Sequence, residues 1–412
     1  MFWQKKLALL LGNHLPFSID CLPPTACLVG GAVRDALLDR QRDYLDLDFV
    51  LPELAVEVAR KIAECYRAGF VVLDERRRIA RVVFKQGTVD FAQQEGDSLE
   101  TDLRRRDFTI NAIAYNPHRQ ELIDPLGGLV DLEQRKLRMV SPGNLKDDPL
   151  RLLRAYRQAA QLNFTIEATT RATIRQLAPL LGTIAAERVQ NELGHLLVAH
   201  PRGNIWLATA WEDGLLKPWL KNTTAEKLQQ VERIERSADI LPDLVNKPFS
   251  LSPETIEMAK LACLLASNPQ EAEMELVKLK YSRAHIRTIT TALKYLPQLQ
   301  QNATSMSLRE QYFFFLGVGD VFPTLALLAM AVGVDRDAIA MLANRYFDKS
   351  DPVAHPKPLV KGHDLIKHLC LASGPKIGKL LTELQIAYIE GKISTAGEAL
   401  HLAKILLQSN NF

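Results

Sequence analysis

The chain has 412 residues, 47% hydrophobic and 24% charged, a balance that excludes disordered, fibrous and collagen-like classes and a length that calls for two to three domains. Lys and Arg number 51 against 48 Asp and Glu, a formal net charge of +3, so there is no overall basic field and any anion-binding surface must be local. Five widely spaced cysteines, Cys21, Cys27, Cys65, Cys263 and Cys370, form no CxxC pair; that excludes a zinc or disulfide framework and points to the reducing cytoplasm.

In chain order, the opening MFWQKKLALLLGNHL predicts a short amphipathic helix. Its apolar run Leu7 to Leu11 is too short for a secretory core and lacks a small-residue cleavage site. The β-branched runs Cys27-Leu28-Val29, Leu47 to Val50, Phe70 to Leu73, Arg81 to Phe84 and Gly87 to Phe91 predict strands, interleaved with one or two helices, giving a mixed α and β head. From about Pro149, apolar residues fall at helical spacing (Leu150, Leu153, Ala155, Tyr156, Ala160, Leu162), predicting an all-helical remainder. Breaks are expected at Pro201-Arg202-Gly203, at Leu241-Pro242 with Pro248, and from Asp351-Pro352 to Pro358. No fixed-period repeat is present. The longest apolar stretch, Val321 to Val334, is broken by Pro323 and falls short of the roughly 18 residues of a membrane span; no membrane segment is expected.

The chemistry-bearing residues cluster in the head. Leu28 to Leu38, LVGGAVRDALL, reads as strand, Gly30-Gly31 turn and helix, where backbone amides and Arg34 can approach a phosphate; it reads equally as a tight strand-to-helix turn. Asp46 and Asp48 flank Leu47 in the next strand, and side-chain alternation puts both carboxylates on one face. Like charges so close call for a cation, and hard oxygen donors favour Mg²⁺. Asp90, on the Gly87 to Phe91 strand, is a candidate third carboxylate or a solvated edge acid. In Arg104 to Ala112, the guanidinium groups of a predicted helix start could clamp phosphates while Asp107 accepts from a ribose hydroxyl, with Asn111 in the same segment; the alternative is a solvated face capped by Asp107. Asp124 to Gly128 reads as a turn or a hinge. Asp148 and Arg151, at i and i+3, are predicted on one helical face continued by Arg154 and Arg157, where a carboxylate and a guanidinium could read a base edge; a helix cap followed by a basic face is the alternative.

Five ordered segments, GGAVRD with DLD, RRDFTINA, DPLGGLVDL, DDPLRLLRAYR, and ERVQNEL at Glu187 to Leu193, resemble the class II tRNA nucleotidyltransferase and poly(A) polymerase family over about Cys27 to Leu193. The resemblance implies an α+β chain: a mixed-sheet nucleotidyltransferase palm as head (1–140), then an all-helical neck with base recognition (141–200), body (201–350) and tRNA-binding tail (351–412). It implies that Asp46 and Asp48 hold catalytic Mg²⁺, beside Asp90 as the candidate third catalytic carboxylate, and that Gly30, Gly31 and Arg34 lie against the triphosphate. Arg105, Arg106 and Asp107 would select ribose, Asp148 and Arg151 would act as a template for the incoming base, and Asn111 and Arg154 would complete the nucleotide site. The expected partners are the tRNA 3′ end and CTP, with ATP as a further substrate, and no membrane. The expected reaction is addition of CMP, with or without AMP, in CCA synthesis with release of pyrophosphate. An A-adding enzyme or poly(A) polymerase of the same family, and a helical RNA-binding protein without catalysis, are the alternatives.

Two departures stand out. The family carries Glu-Asp-x-x-Arg where this chain has Asp147-Asp148-x-x-Arg151, a change confined to the first acid. Only Phe91 to Arg104 separates the third-carboxylate strand from RRDFTINA, where family members usually carry a longer flexible loop that helps the switch from CTP to ATP; the short connection resembles that of CC-adding specialists. Further on, Lys278, Lys280, Arg283, His285, Arg287 and Lys294, and then Lys357, Lys361, Lys367, Lys376 and Lys379, are equally phosphate contacts or solvated helix faces. Gly362 to Glu390 resembles the tail segment that contacts the tRNA elbow. His363-Asp364 matches the first half of an HD metal motif without its further ligands.

Overall fold

The structure, a computed structural model, describes residues 6–7, 15–40, 44–199 and 202–408. Most of the predicted N-terminal helix, and Pro201 of the first predicted break, lie outside the described residues. The chain forms two compact units, Met1–Pro218 and Trp219–Phe412.

The first unit is built on a seven-stranded mixed sheet of order β3-β4-β5-β2-β1-β6-β7. Its strands are β1 (Cys27–Val29), β2 (Leu45–Leu51), β3 (Gly69–Asp74), β4 (Ile79–Phe84), β5 (Gly87–Gln93), β6 (Ala114–Asn116) and β7 (Glu121–Ile123). Only β2 and β5 pair in parallel. The α+β expectation holds. Alternation along β2 and β5 divides the sheet into two faces. Leu47, Phe49, Val89 and Phe91 are buried on one, where Phe49 and Phe91 stack with centroids 5.7 Å apart and Phe17 packs against both. Helix α2 (Ala55–Tyr66), following α1 (Gly31–Leu37), packs against β3, β4 and β5 with Ala55, Ala59, Ile62 and Ala63 inward. Asp46, Asp48 and Asp90 occupy the alternate positions.

Next come α3 (Leu99–Arg104), α4 (Gly128–Glu133), α5 (Pro142–Asp147), α6 (Leu150–Leu162), α7 (Ala168–Leu177), α8 (Ala186–Leu197) and α9 (Gly203–Glu212). Helices α6, α8 and α9 pack on one another. Asp213, just past α9, accepts from Tyr156 at 2.5 Å and from Arg171 and Arg175, joining α6 and α7 to the end of α9. The helical stretch is not wholly free of strands, because β9 (Thr165–Ile166) pairs in parallel with β8 (Lys136–Leu137). The Asp124 to Gly128 segment is a packed turn: both Asp124 oxygens accept from the Gly128 and Leu129 amides, and a Cβ on Gly128 would stand 2.4 Å from the Thr109 carbonyl oxygen.

The second unit contains ten α-helices among the described residues, from Ala225–Ile240 to Ala396–Gln408. The apolar stretch near Val321 is longer than its sequence suggested. Leu308–Ala331 runs as two helices joined by a 3₁₀ turn and, by length and composition, could cross a membrane. Pro323 does not shorten it, because it lies in the first turn of Phe322–Ala331, where no amide partner is lost. Phe314, Phe322, Leu325 and Leu327 are buried inside the unit, as befits core helices. Helices Gly362–Leu369, Pro375–Ile389 and Ala396–Gln408 share a core including Leu365, Leu380, Leu384 and Ala399.

Candidate active site

The site starts at the end of β1. Gly30 takes φ +76°, a conformation that favours glycine, and caps α1. A Cβ there would stand 3.4 Å from Arg106 Nη1 and 3.6 Å from Asp48 Oδ2, so the missing side chain leaves a cradle between a guanidinium and a carboxylate. Gly31 opens α1. Asp46 and Asp48 share one face of β2, and register places Asp48 opposite Asp90 on β5 and Asp46 opposite Thr88, whose hydroxyl donates to Asp46 at 3.2 Å. Burial pushes the Asp48 carboxyl up to about 6, Asp46 and Asp90 push the same way, and Arg106 and Arg81 oppose them.

The arginine run lies at a helix end, not a helix start. Ser98 caps α3 and Arg104 closes it, a favourable place for positive charge. Beneath the run, Asp102 is 2% exposed and accepts from Arg105 Nε and Arg106 Nη2, each at 3.2 Å. Arg105 also pairs with Glu95. Arg106 Nε is buried with no hydrogen-bond partner, an orphaned donor beside the Gly30 cradle.

Behind these residues runs a buried polar chain. Arg34, assigned from sequence to the triphosphate, is 7% exposed and donates to Asp35 at 2.9 Å and to Asn111 at 2.7 Å. Asn111 in turn donates to Asp107 at 2.9 Å and to Gln158. Asp107 also accepts from the Phe108 amide and, at 3.4 Å, from Arg154. Burial raises the Asp107 carboxyl, but Arg154, Asn111, the Phe108 amide and Arg151 outweigh it and hold it below the usual carboxylate range.

Asp148 and Arg151 are neighbours, but they do not share a helical face. Asp148 stands between α5 and α6 with φ −133° and ψ 89°, because the residue before a proline is driven out of the helical region. Its Oδ2 accepts from Arg188 at 2.9 Å, and its backbone carbonyl accepts from the Arg151 amide. Arg151 Nη1 donates to the carbonyls of Arg105 and Asn144, which leaves Nε and Nη2 without a protein partner among the described residues.

Residues 26–138 match the poly(A) polymerase head domain, 163–227 the RNA- and SrmB-binding site of polymerase A, and 249–403 the tRNA nucleotidyltransferase domain 2. A CC-adding tRNA nucleotidyltransferase of Synechocystis sp. is 50% identical over 97% of this chain and 98% of its own. The chain belongs to the class II tRNA nucleotidyltransferase and poly(A) polymerase family. An A-adding tRNA nucleotidyltransferase of Deinococcus radiodurans is 32% identical over 92% of this chain and 94% of its own. The fold matches the solved complex of a CCA-adding enzyme with CTP at TM-score 0.75 and 23% identity, over 94% of this chain and 91% of that one.

Membership of this nucleotidyltransferase family implies a divalent metal cation, and the donor set fits one. Two carboxylates on one strand face, one of them raised by burial and by the other's charge, are what a hard cation would relieve. Among the described residues no three His, Cys, Asp or Glu side chains converge as metal ligands; beside the pair, Asp90 accepts from Arg81 with both oxygens. Remaining ligands would come from phosphate and water, as is usual for Mg²⁺. His363 and Asp364 are no metal site: Asp364 accepts from the Lys361 amide as a helix cap.

The raised Asp48 carboxyl has a pH consequence. The folded carboxyl holds its proton more tightly than the unfolded one, so metal-free protein loses stability as pH rises from about 4 towards 6. A cation that needs the ionised form binds more tightly over that range. The rise in Tm on adding a divalent cation is therefore expected to grow between about pH 5 and pH 7 and then level off; a flat response would contradict it.

Two residues of ERVQNEL carry contacts that motif matching did not assign. On α8, Arg188 holds Asp148, and Glu192, 6% exposed, accepts from Arg154 at 3.3 Å and Arg157 at 2.5 Å. Their spacing of four residues, one helical turn, was the available signal. Glu192→Ala is expected to destabilise the first unit by about 2 kcal/mol, because it takes a shared carboxylate from two partly buried guanidinium groups and leaves Arg154 with Asp107 and Arg157 with Gln161. Urea unfolding measures this, and a loss below about 1 kcal/mol would mean that solvent already screens the cluster.

Proposed function

We propose that this nucleotidyltransferase adds two CMP residues from CTP to the 3′ end of tRNA in CCA synthesis, releasing pyrophosphate and leaving the final AMP to a second enzyme. The observation that carries the reaction type is the Asp46 and Asp48 pair set against the Gly30 cradle and the unpartnered Arg106 Nε. Choice of CC over CCA is supported by the name of the Synechocystis relative and by the short connection from β5 to α3.

In this reading the triphosphate lies across Gly30 and Gly31 with Arg106 as its charge partner, and Arg105 flanks it. Arg34 acts from behind, holding Asn111. Asp46 and Asp48 would hold Mg²⁺, which when bound supplies charge neutralisation to the phosphates and acidifies the attacking hydroxyl. The terminal 3′-hydroxyl of tRNA attacks the α-phosphate, and pyrophosphate leaves; Asp90 is the third carboxylate. Asp107, ionised and with one of about four acceptor positions unfilled, accepts from the ribose hydroxyl beside Arg154. Asp148, steadied by Arg188, and the free edge of Arg151 read the base.

We assign the sheet to a head, residues 141–200 to a neck, and the remaining helices to a body and tail that bind the tRNA, in the cytoplasm. The basic rows there are partly engaged, since Lys278 lies over the Trp219 ring and His285 pairs with Glu254. The test is incorporation of each labelled nucleotide alone into a tRNA transcript lacking CCA. CTP should be used with Mg²⁺ and not with EDTA, while UTP, GTP and ATP are not; equal use of ATP and CTP would overturn the reading.

A further inference from the structure

Asp90 stands in register with Asp48 on the adjacent strand, about 5 Å away across the ladder, yet both its oxygens already accept from an arginine. On its other side, Arg81 of β4 is also in register with it and grips it bidentately, Nε to Oδ1 at 2.7 Å and Nη2 to Oδ2 at 2.8 Å. One cross-strand row therefore reads Asp48, Asp90, Arg81, Val71 from the centre of the sheet to its edge strand. Arg81 keeps Nη1 without a protein partner among the described residues, and its side chain is 37% exposed.

The position of this pair within the site matters. Gly30 and Arg106 border Asp48 on the β1 side. In an in-line displacement the attacking hydroxyl arrives opposite the leaving pyrophosphate. With the triphosphate on the β1 side, an acceptor RNA arriving from the opposite side would come over β5 and β4, which is where Arg81 lies. A guanidinium fork that fits a carboxylate fits a phosphate equally well.

We propose that Arg81 is a positioning residue that holds Asp90 away from the metal until a backbone phosphate of the acceptor RNA takes its guanidinium, so that cation binding is completed only when the acceptor is in place. This rests on the carboxylate assignment made above. It couples the two substrates without a moving loop, because only two side chains need to move: Arg81 exchanges a carboxylate for a phosphate, and the released Asp90 carboxylate turns to the metal. It also disfavours spending a bound nucleotide on water when no tRNA is present.

The experiment is titration of Mn²⁺, with free Mn²⁺ read by electron paramagnetic resonance, into the full chain with and without a tRNA transcript that lacks CCA and ends in a 3′-deoxy residue. For the wild type, the tRNA should tighten Mn²⁺ binding about ten-fold, the effect typical of changing a partner of a metal ligand. Arg81→Ala should bind at the tighter level without tRNA, Arg81→Lys should restore part of the dependence, and Asp90→Asn should show no tRNA effect beyond Mn²⁺ held by the RNA itself. Circular dichroism reports whether Arg81→Ala folds, and Arg81→Gln serves if it does not. Arg81 variants with wild-type affinity and wild-type response to tRNA would overturn the proposal. Asp46→Ala and Asp48→Ala separate the two levels: if they keep Mn²⁺ binding, the carboxylate assignment itself fails, whereas if they lose it and the Arg81 variants are unchanged, only the role of Arg81 fails.

Discussion

Asp46→Ala and Asp48→Ala will each abolish nucleotide addition while tRNA binding survives. Both side chains leave the same face of β2, and Asp48 is buried enough, and close enough to Asp46 and Asp90, for its carboxyl to be raised to about 6. Removing either carboxylate takes away one of the two same-face groups proposed to hold the cation, and Asp90, on the neighbouring strand, does not replace it. The expected loss is at least about 1,000-fold in turnover, roughly 4 kcal/mol of barrier. Folding should be spared, because deleting one of two repelling carboxylates relieves strain in the metal-free protein. Turnover within about ten-fold of wild type in both variants, measured by single-turnover incorporation, would remove the two-carboxylate assignment altogether.

Arg151→Ala will leave incorporation measurable but will lose the choice of nucleotide. The Arg151 guanidinium is anchored through Nη1 to two backbone carbonyls, one of them from the arginine run and one from α5. That anchoring fixes its remaining edge, which is the condition for reading a base. A well-placed base contact is worth about 1 to 3 kcal/mol, so preference for CTP over UTP should fall about 5- to 150-fold. Arg188→Ala should act in the same direction and more weakly, by releasing Asp148. If Arg151→Ala kept the wild-type preference, the base-template assignment would be wrong, whatever happened to the rate.

Much of the head was legible in the residues. Strands β1 to β5 carry β-branched or alternating runs, and the face shared by Asp46 and Asp48 follows from period two. Strands β6 and β7 escaped notice because Ala114-Tyr115-Asn116 and Glu121-Leu122-Ile123 carry no β-branched run and exist through pairing, with Leu28 opposite Tyr115 and Tyr115 opposite Leu122. Asp148 was misplaced on a helix although Pro149 signals the break directly. Arg34 carries positive charge in the short helix α1, but its burial and its bond to Asn111 arise from contacts between residues 77 positions apart. The Arg81 grip on Asp90 was invisible for a related reason: it depends on the register of two strands, which composition and spacing do not encode. The motif ERVQNEL marked the right helix, and only the packing of α8 on α6 shows that it holds Arg154 and Asp148.

The most direct test of the central claim is product length at single-nucleotide resolution. Labelled CTP and ATP are supplied together, with Mg²⁺, to tRNA transcripts ending before the CCA, after C and after CC. The account predicts extension to CC from the first two transcripts and none from the third. Completion of CCA by this enzyme alone would contradict it.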